Sequence, residues 1–164
     1  MTPGVKDMKN RFPISCAIVI VLLAFSFPAG AFKCNINATG VSFGGYDVFA
    51  STPRDATGTI NVDCNIPAQN PNGPLVVTVS ISPGNSGTFT PRQMQGSGAV
   101  LNYNLYTSPS FSTIWGDGSG GSQVQSSMVN RDTPFSATIY GRIPARQNVT
   151  PGTYNDLLII TVEW

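Results

Sequence analysis

The sequence predicts an all-β fold, a sandwich or barrel of short antiparallel strands. Two observations carry this prediction. Apolar and polar residues alternate with a period of two over several segments, and turn-forming residues punctuate the intervals between them. No window of useful length carries a helical stripe. At 164 residues, with no linker, repeat or break in composition, one domain is expected.

Six main strands are expected in order. The first runs from Cys34 to Phe43. The second, Thr59–Cys64, places Ile60, Val62 and Cys64 on one face and Thr59, Asn61 and Asp63 on the other. Pro67 to Pro74 then turns the chain, with three prolines and a glycine. Leu75–Ser82 sets Leu75, Val77, Val79 and Ile81 inward, and Pro83-Gly84-Asn85-Ser86-Gly87 reverses direction after it. Ala99–Thr107 presents Leu101, Tyr103 and Leu105 on its apolar face. A short strand-like piece, Phe111 to Trp115, leads into a Gly116–Ser122 loop. Phe135–Ile143 alternates Phe135, Ala137, Ile139 and Ile143 against Ser136, Thr138, Tyr140 and Arg142. The last strand, Tyr154–Trp164, is apolar on both faces: Leu158, Ile160, Val162 and Trp164 on one, Leu157 and Ile159 on the other. That pattern fits a central strand, or one whose second side awaits a cover.

Composition excludes several functions. Only 10% of residues are charged, the formal net charge is +1, and there is no histidine. A near-neutral chain lacks the basic stripe that nucleic-acid binding needs. Without imidazole, Ser-His-Asp and Cys-His catalysis are closed, and three cysteines cannot complete a zinc site alone. The expectation is therefore a protein without enzymatic activity, cofactor or metal.

The first thirty-one residues read as a secretory leader. Lys6, Lys9 and Arg11 precede an apolar run from Ile14 to Phe27, and Ala29-Gly30-Ala31 offers the small-x-small pattern of a cleavage site. That run is 14 residues long, short of the about 20 that a spanning helix requires. Cleavage after Ala31 gives a mature chain of residues 32–164 with no membrane span. Three basic residues and Asp7 leave with the leader, so the net charge becomes −1. Cys16 leaves too, and Cys34 and Cys64 remain as an even pair in an oxidising compartment. A bridge closing that ~30-residue loop is worth roughly 3–4 kcal/mol in the chain-entropy picture.

An ordered series of motifs resembles the spore coat protein U domain family, which also builds the subunits of archaic, Csu-type chaperone–usher pili. The series opens with Cys34-Asn35-Ile36-Asn37-Ala38-Thr39-Gly40-Val41-Ser42-Phe43-Gly44-Gly45-Tyr46-Asp47. It continues through Asp55-Ala56-Thr57-Gly58, Gly84-Asn85-Ser86-Gly87, Pro91-Arg92-Gln93-Met94 and Leu101-Asn102-Tyr103-Asn104-Leu105-Tyr106. Trp115-Gly116-Asp117-Gly118, Tyr140-Gly141-Arg142-Ile143-Pro144 and Pro151-Gly152-Thr153-Tyr154 complete it, so that the resemblance covers Cys34 to Trp164.

The resemblance implies an incomplete immunoglobulin-like antiparallel β-sandwich lacking its final strand. It further implies a secreted structural subunit, exported through the periplasm to the cell surface or an extracellular structure. Its partners would be a periplasmic pilus chaperone, an outer-membrane usher and neighbouring subunits, each engaged through β-strand addition. Six expected strands against the seven of a complete immunoglobulin-type sandwich agree with this. The strand groove is expected along Leu157, Leu158, Ile159, Ile160 and Val162. Cleavage after Ala31 leaves only Phe32 and Lys33 ahead of the first cysteine, which suits a subunit that accepts a strand without donating one. Cleavage after Ala24 would retain Phe25-Ser26-Phe27, but Leu22 suits the −3 position poorly and Pro28 would interrupt a ladder.

Other chemistry is weakly supported. Gly116 to Gly121 satisfies G-x-G-x-x-G in letters, yet Ser122-Gln123-Val124 leaves no room for the helix that motif must open. Asp117 and Asp132 lack the spacing of a calcium loop, and nothing in the spacing of Asp117, Asp132 and Asp156 suggests paired catalytic carboxylates. Asn37-Ala38-Thr39 and Asn148-Val149-Thr150 match the glycosylation sequon, as Asn- and Thr-rich chains do by chance. The alternative function is a lectin-like adhesin or tip domain that does not polymerise, with Trp115, Tyr106 and Tyr140 as a sugar platform; core packing is the competing role for those rings.

Overall fold

The computed structural model describes residues 33–67, 73–96 and 98–164, and the expected leader and any donor extension lie outside them. Eight strands are present: β1 Lys33–Thr39, β2 Arg54–Asn65, β3 Leu75–Ile81, β4 Arg92–Gly96, β5 Ala99–Tyr106, β6 Gln125–Val129, β7 Phe135–Ile143 and β8 Ile160–Glu163. They form two antiparallel sheets. One has the order β1-β2-β7-β5-β4, the other β6-β3-β8. This is an all-β sandwich of immunoglobulin-like type, and no helix among the described residues is long and apolar enough to cross a membrane.

The alternation read from the sequence builds the core directly. Ile60, Val62 and Cys64 of β2, Val77, Val79 and Ile81 of β3, Leu101, Tyr103 and Leu105 of β5, and Phe135, Ile139 and Ile143 of β7 are all buried in one cluster. Polar residues between them face outward, as period-two geometry requires, with the exception of Asn104, which is buried against Arg92. Cys34 and Cys64 are directly opposed in the β1–β2 ladder and form a disulfide.

The differences from expectation have local causes. β1 ends at Thr39, because from Gly40 the chain leaves β2 and takes Val41 and Phe43 into the core. β2 begins five residues early, at Arg54, and its Gly58 is needed there: a Cβ would stand 2.6 Å from the Thr39 carbonyl. β4 was invisible to a search for apolar alternation, since one of its two buried residues is Arg92. β6 buries only Val129 and carries no pattern to read. Phe111 to Trp115 contributes isolated bridges, Ile114 to Tyr106 and Trp115 to Gln123.

The final segment differs most. Its ladder is restricted to Ile160–Glu163 at the edge of the smaller sheet, rather than running from Tyr154 to Trp164. Asn155 pairs with Gln95 of β4, whereas Ile159 pairs with Ser82 at the end of β3. The segment thus passes from the margin of one sheet to the margin of the other, and cannot hold one continuous ladder while crossing.

Candidate functional site

A cavity of about 1140 Å³ opens between that crossing segment and the stretch following β1. One wall is the chain from Ala38 to Phe49, and the other is Val149 to Asp156 with Leu158 and Ile160. Its floor is core: Ile81 from the smaller sheet, and Leu101, Tyr103, Leu105, Ile139 and Ile143 from the larger.

The Ala38–Phe49 wall is held by its backbone and by two side chains. Arg54 Nε donates to the Phe43 carbonyl at 2.7 Å, and the Phe43 ring meets Tyr103 edge-on at 6.0 Å. The Tyr46 hydroxyl donates to the Pro144 carbonyl at 2.7 Å and accepts from the Gln147 amide at 2.8 Å. At the rim, the Asp47 carboxylate accepts from the Phe49 amide at 2.9 Å, and this turn presents a phenylalanine that is 88% exposed.

The opposite wall is fixed by Asp156. Its carboxylate accepts from the Tyr103 hydroxyl at 2.7 Å and from the Asn85 amide at 2.8 Å. Gly84 supplies the space: its φ is +72°, and a Cβ there would collide with the Asp156 carboxylate. Burial, reinforced by the bond to Asp156, raises the Tyr103 phenol well above its ordinary value, so it stays a proton donor.

Beneath lies Arg92, fully buried. Its guanidinium donates to the carbonyls of Trp115 at 2.7 Å, Ser82 at 3.1 Å and Ile81 at 3.3 Å, and to Asn104 Oδ1 at 2.8 Å. Burial lowers Arg92 to about 10, and the nearby Tyr103, Asp156 and Asp117 oppose that shift. Arg92 therefore ties the end of β3 to β4, β5 and the Trp115 segment through one side chain.

The expected groove residues divide by face. Leu158 and Ile160 line the cavity, and Val162 packs half-buried against the core one turn of the pleat further on. Leu157 and Ile159 point outward and are 79% and 66% exposed. Among the described residues β8 is laddered to β3 alone. Ile159 directs its N–H and C=O toward Ser82, so by antiparallel alternation Ile160 and Val162 direct theirs at the open side. The sequence reading did not single out Phe49, Tyr103 or Asp156 for this wall; the available signal was Gly40, where the apolar pattern continues through Val41 and Phe43 after polar β1.

The other candidate groups are placed as follows. Trp115 is buried and donates to the Val79 carbonyl at 3.0 Å, so it belongs to the core and not to a surface platform. Tyr106 and Tyr140 do come together on the outer face, with Phe111 between them. Gly116–Gly121 is a loop in which Asp117 accepts from the Ser119 amide and hydroxyl, and strand β6 follows it. Among the described residues no three His, Cys, Asp or Glu side chains gather as metal ligands would.

Residues 21–161 match the family model of the Spore Coat Protein U domain. In three dimensions the chain is similar to a chain in the crystal structure of the CsuC–CsuE chaperone–tip adhesion subunit pre-assembly complex from archaic chaperone–usher Csu pili of Acinetobacter baumannii. The TM-score is 0.57 at 20% identity, over 82% of this chain and 40% of that one. The likeness is one of fold, and this chain spans well under half of that chain's length. No curated protein matches it in sequence.

Proposed function

The chain belongs to the spore coat protein U domain family, and we propose that it is an exported structural subunit of a surface assembly, pilus-like or coat-like, which accepts a complementing β-strand beside β8. The observation that carries this reading is the coincidence of an open strand edge with an open core. Ile160 lines the cavity floored by Leu101, Leu105, Ile139 and Ile143, and its backbone groups, like those of Val162, lie on the edge of β8 turned away from β3. A strand entering there would hydrogen-bond to the β8 edge while its alternate side chains filled the cavity.

The energetics favour occupation. Each apolar side chain transferred from water into such a cavity contributes about 1.5–3 kcal/mol, so four or five of them supply most of a domain's net stability. In this reading Leu158 and Ile160 contact the incoming side chains, Val162 extends the wall, and Leu157 and Ile159 line the outer side of the same edge, where a partner's flanking surface would cover them. The strand comes first from a periplasmic chaperone and then, past an outer-membrane usher, from a neighbouring subunit; the complex in the similar crystal structure is one of chaperone and subunit. Residues 1–31 are the leader and 32–164 the mature domain, which accepts a strand and donates none. The role is structural, with no catalytic step assigned to any residue.

The test is complementation. A strand of alternating apolar residues is fused after Trp164 through a flexible linker. The fused protein should be a monomer melting cooperatively well above the unfused one, which should stay monomeric only when dilute and aggregate or swap when concentrated. An unfused chain that is already a stable monomer, with a melting temperature unmoved by the fusion, would sink the proposal.

A further inference from the structure

The outer face of the larger sheet is ordered in a way the strand groove does not use. In register across β1, β2 and β7 stand Asn37, Asn61 and Ser136, and in the next row Thr39, Thr59 and Thr138. The row after that is Thr57, Tyr140 and Tyr106, on β2, β7 and β5. Cross-strand hydrogen bonds fix these side chains: Thr39 Oγ1 to Thr59 Oγ1 at 3.0 Å, and Ser136 Oγ to Asn61 Oδ1 at 2.8 Å.

The aromatic row is built with some backbone strain. Phe111, a non-glycine residue at φ +54°, sets its ring edge-on to Tyr106 at 5.4 Å and to Tyr140 at 6.5 Å. The Arg142 guanidinium lies 3.6 Å over the Phe111 ring and is bridged to Asp55 at 2.7 Å, so its charge is met. Beyond that pair, the charged side chains on the outer face of β1, β2 and β7 among the described residues are Lys33 and Asp63, both at the far end of the β1–β2 ladder.

A face of this chemistry discriminates among partners. An anionic polymer needs unpaired cations, and a protein interface normally centres on exposed apolar anchors. Rows of hydroxyl and amide groups beside half-exposed tyrosines instead match a ligand rich in hydroxyls, uncharged, and apolar on its C–H faces. Adjacent strands are about 4.8 Å apart, close to the length of a sugar ring in an extended chain.

We propose that the outer face of the β1-β2-β7 region binds a neutral polysaccharide, the Thr and Asn rows hydrogen-bonding successive rings and Tyr140 with Tyr106 taking the C–H face of one. The groove's floor residues on β5 and β7 lie on the opposite side of the sheet, and of these rows only Thr39 also borders the groove wall, so this activity is separable from strand acceptance.

The experiment is affinity electrophoresis of the strand-complemented protein in gels containing hydroxyethylcellulose, a dextran or a galactomannan, with alginate as the anionic arm. Retardation by at least one neutral polymer, unchanged in molar salt, is expected. Tyr140→Ala and, separately, Thr59→Lys should each weaken it about tenfold or more, and Thr59 is an exposed position where lysine leaves the core untouched. Met128→Ser, on the exposed face of the smaller sheet, should leave retardation unchanged. Absence of retardation by all three neutral polymers, retardation by alginate alone that salt abolishes, or retardation indifferent to both face variants would each overturn the proposal.

Discussion

The Tyr103 hydroxyl donates a 2.7 Å hydrogen bond to the Asp156 carboxylate, joining the middle of β5 to the segment that leads into the edge strand. Asp156 also accepts from the Asn85 amide within the Gly84–Ser86 turn, so one carboxylate sets where the crossing segment lies. Tyr103→Phe keeps the ring and deletes the bond. Because the acceptor is a half-buried carboxylate, the loss should be about 1–2 kcal/mol by urea titration. The pH dependence has a definite sign. Tyr103 titrates higher folded than unfolded, so its contribution is complete below the ordinary phenol range near 10 and is lost as pH rises toward the folded value. The gap between wild type and Tyr103→Phe should therefore narrow only at strongly alkaline pH.

Gly84→Ala attacks the same junction from the other side. The φ of +72° strains any L residue, and the added methyl meets the Asp156 carboxylate. A loss of about 1–3 kcal/mol is expected by thermal or urea melting. Gly87, also left-handed at φ +67° but with open space around its Cβ position, should lose less on the same substitution.

Arg92→Met removes the buried guanidinium and leaves the carbonyls of Ile81, Ser82 and Trp115 short of a donor. The cost should reach about 3 kcal/mol or more, and Arg92→Lys should recover only part of it, since an ammonium cannot fork to four acceptors. Equilibrium unfolding of both variants checks this.

These residues mark how far the sequence could be read. β3, β5 and β7 were legible because alternation there is uninterrupted, and β7 was bounded correctly at both ends, Phe135 and Ile143. β4 was not, because its core position is an arginine whose burial depends on four acceptors distant in sequence. The inward set Leu158, Ile160 and Val162 was legible from period two. The wall opposite was read only as a longer first strand, since nothing local says that Val41 and Phe43 leave β2 for the core. Trp115 could be sorted between platform and core only once Val79 was seen to accept its N–H.

The Asp55–Arg142 pair tests the electrostatics of the outer face. Its bidentate bond holds Asp55 below the ordinary carboxylate value of 3.8. Its contribution is thus present above that value and lost as pH falls through the depressed one. Both side chains are substantially exposed, so Asp55→Asn should cost under about 1 kcal/mol at neutral pH, falling toward nothing once the pH is below the depressed value.

Loss of the Cys34–Cys64 bridge should act first on β1, where Cys34 is the one residue that is not exposed. The paired Cys34→Ser, Cys64→Ser variant should be roughly 3–4 kcal/mol less stable, with limited proteolysis cutting earliest between β1 and β2.

The most direct test of strand acceptance is residue-resolved amide exchange along β8. In the unfilled chain Ile160 and Val162, whose amides face the open edge, should exchange freely while Thr161 and Glu163, turned to β3, are protected. On adding or fusing a complementing strand, Ile160 and Val162 should become protected to the level of their neighbours. Amides at Ile160 and Val162 that are already protected without a strand, or that stay unprotected with one, would contradict the account.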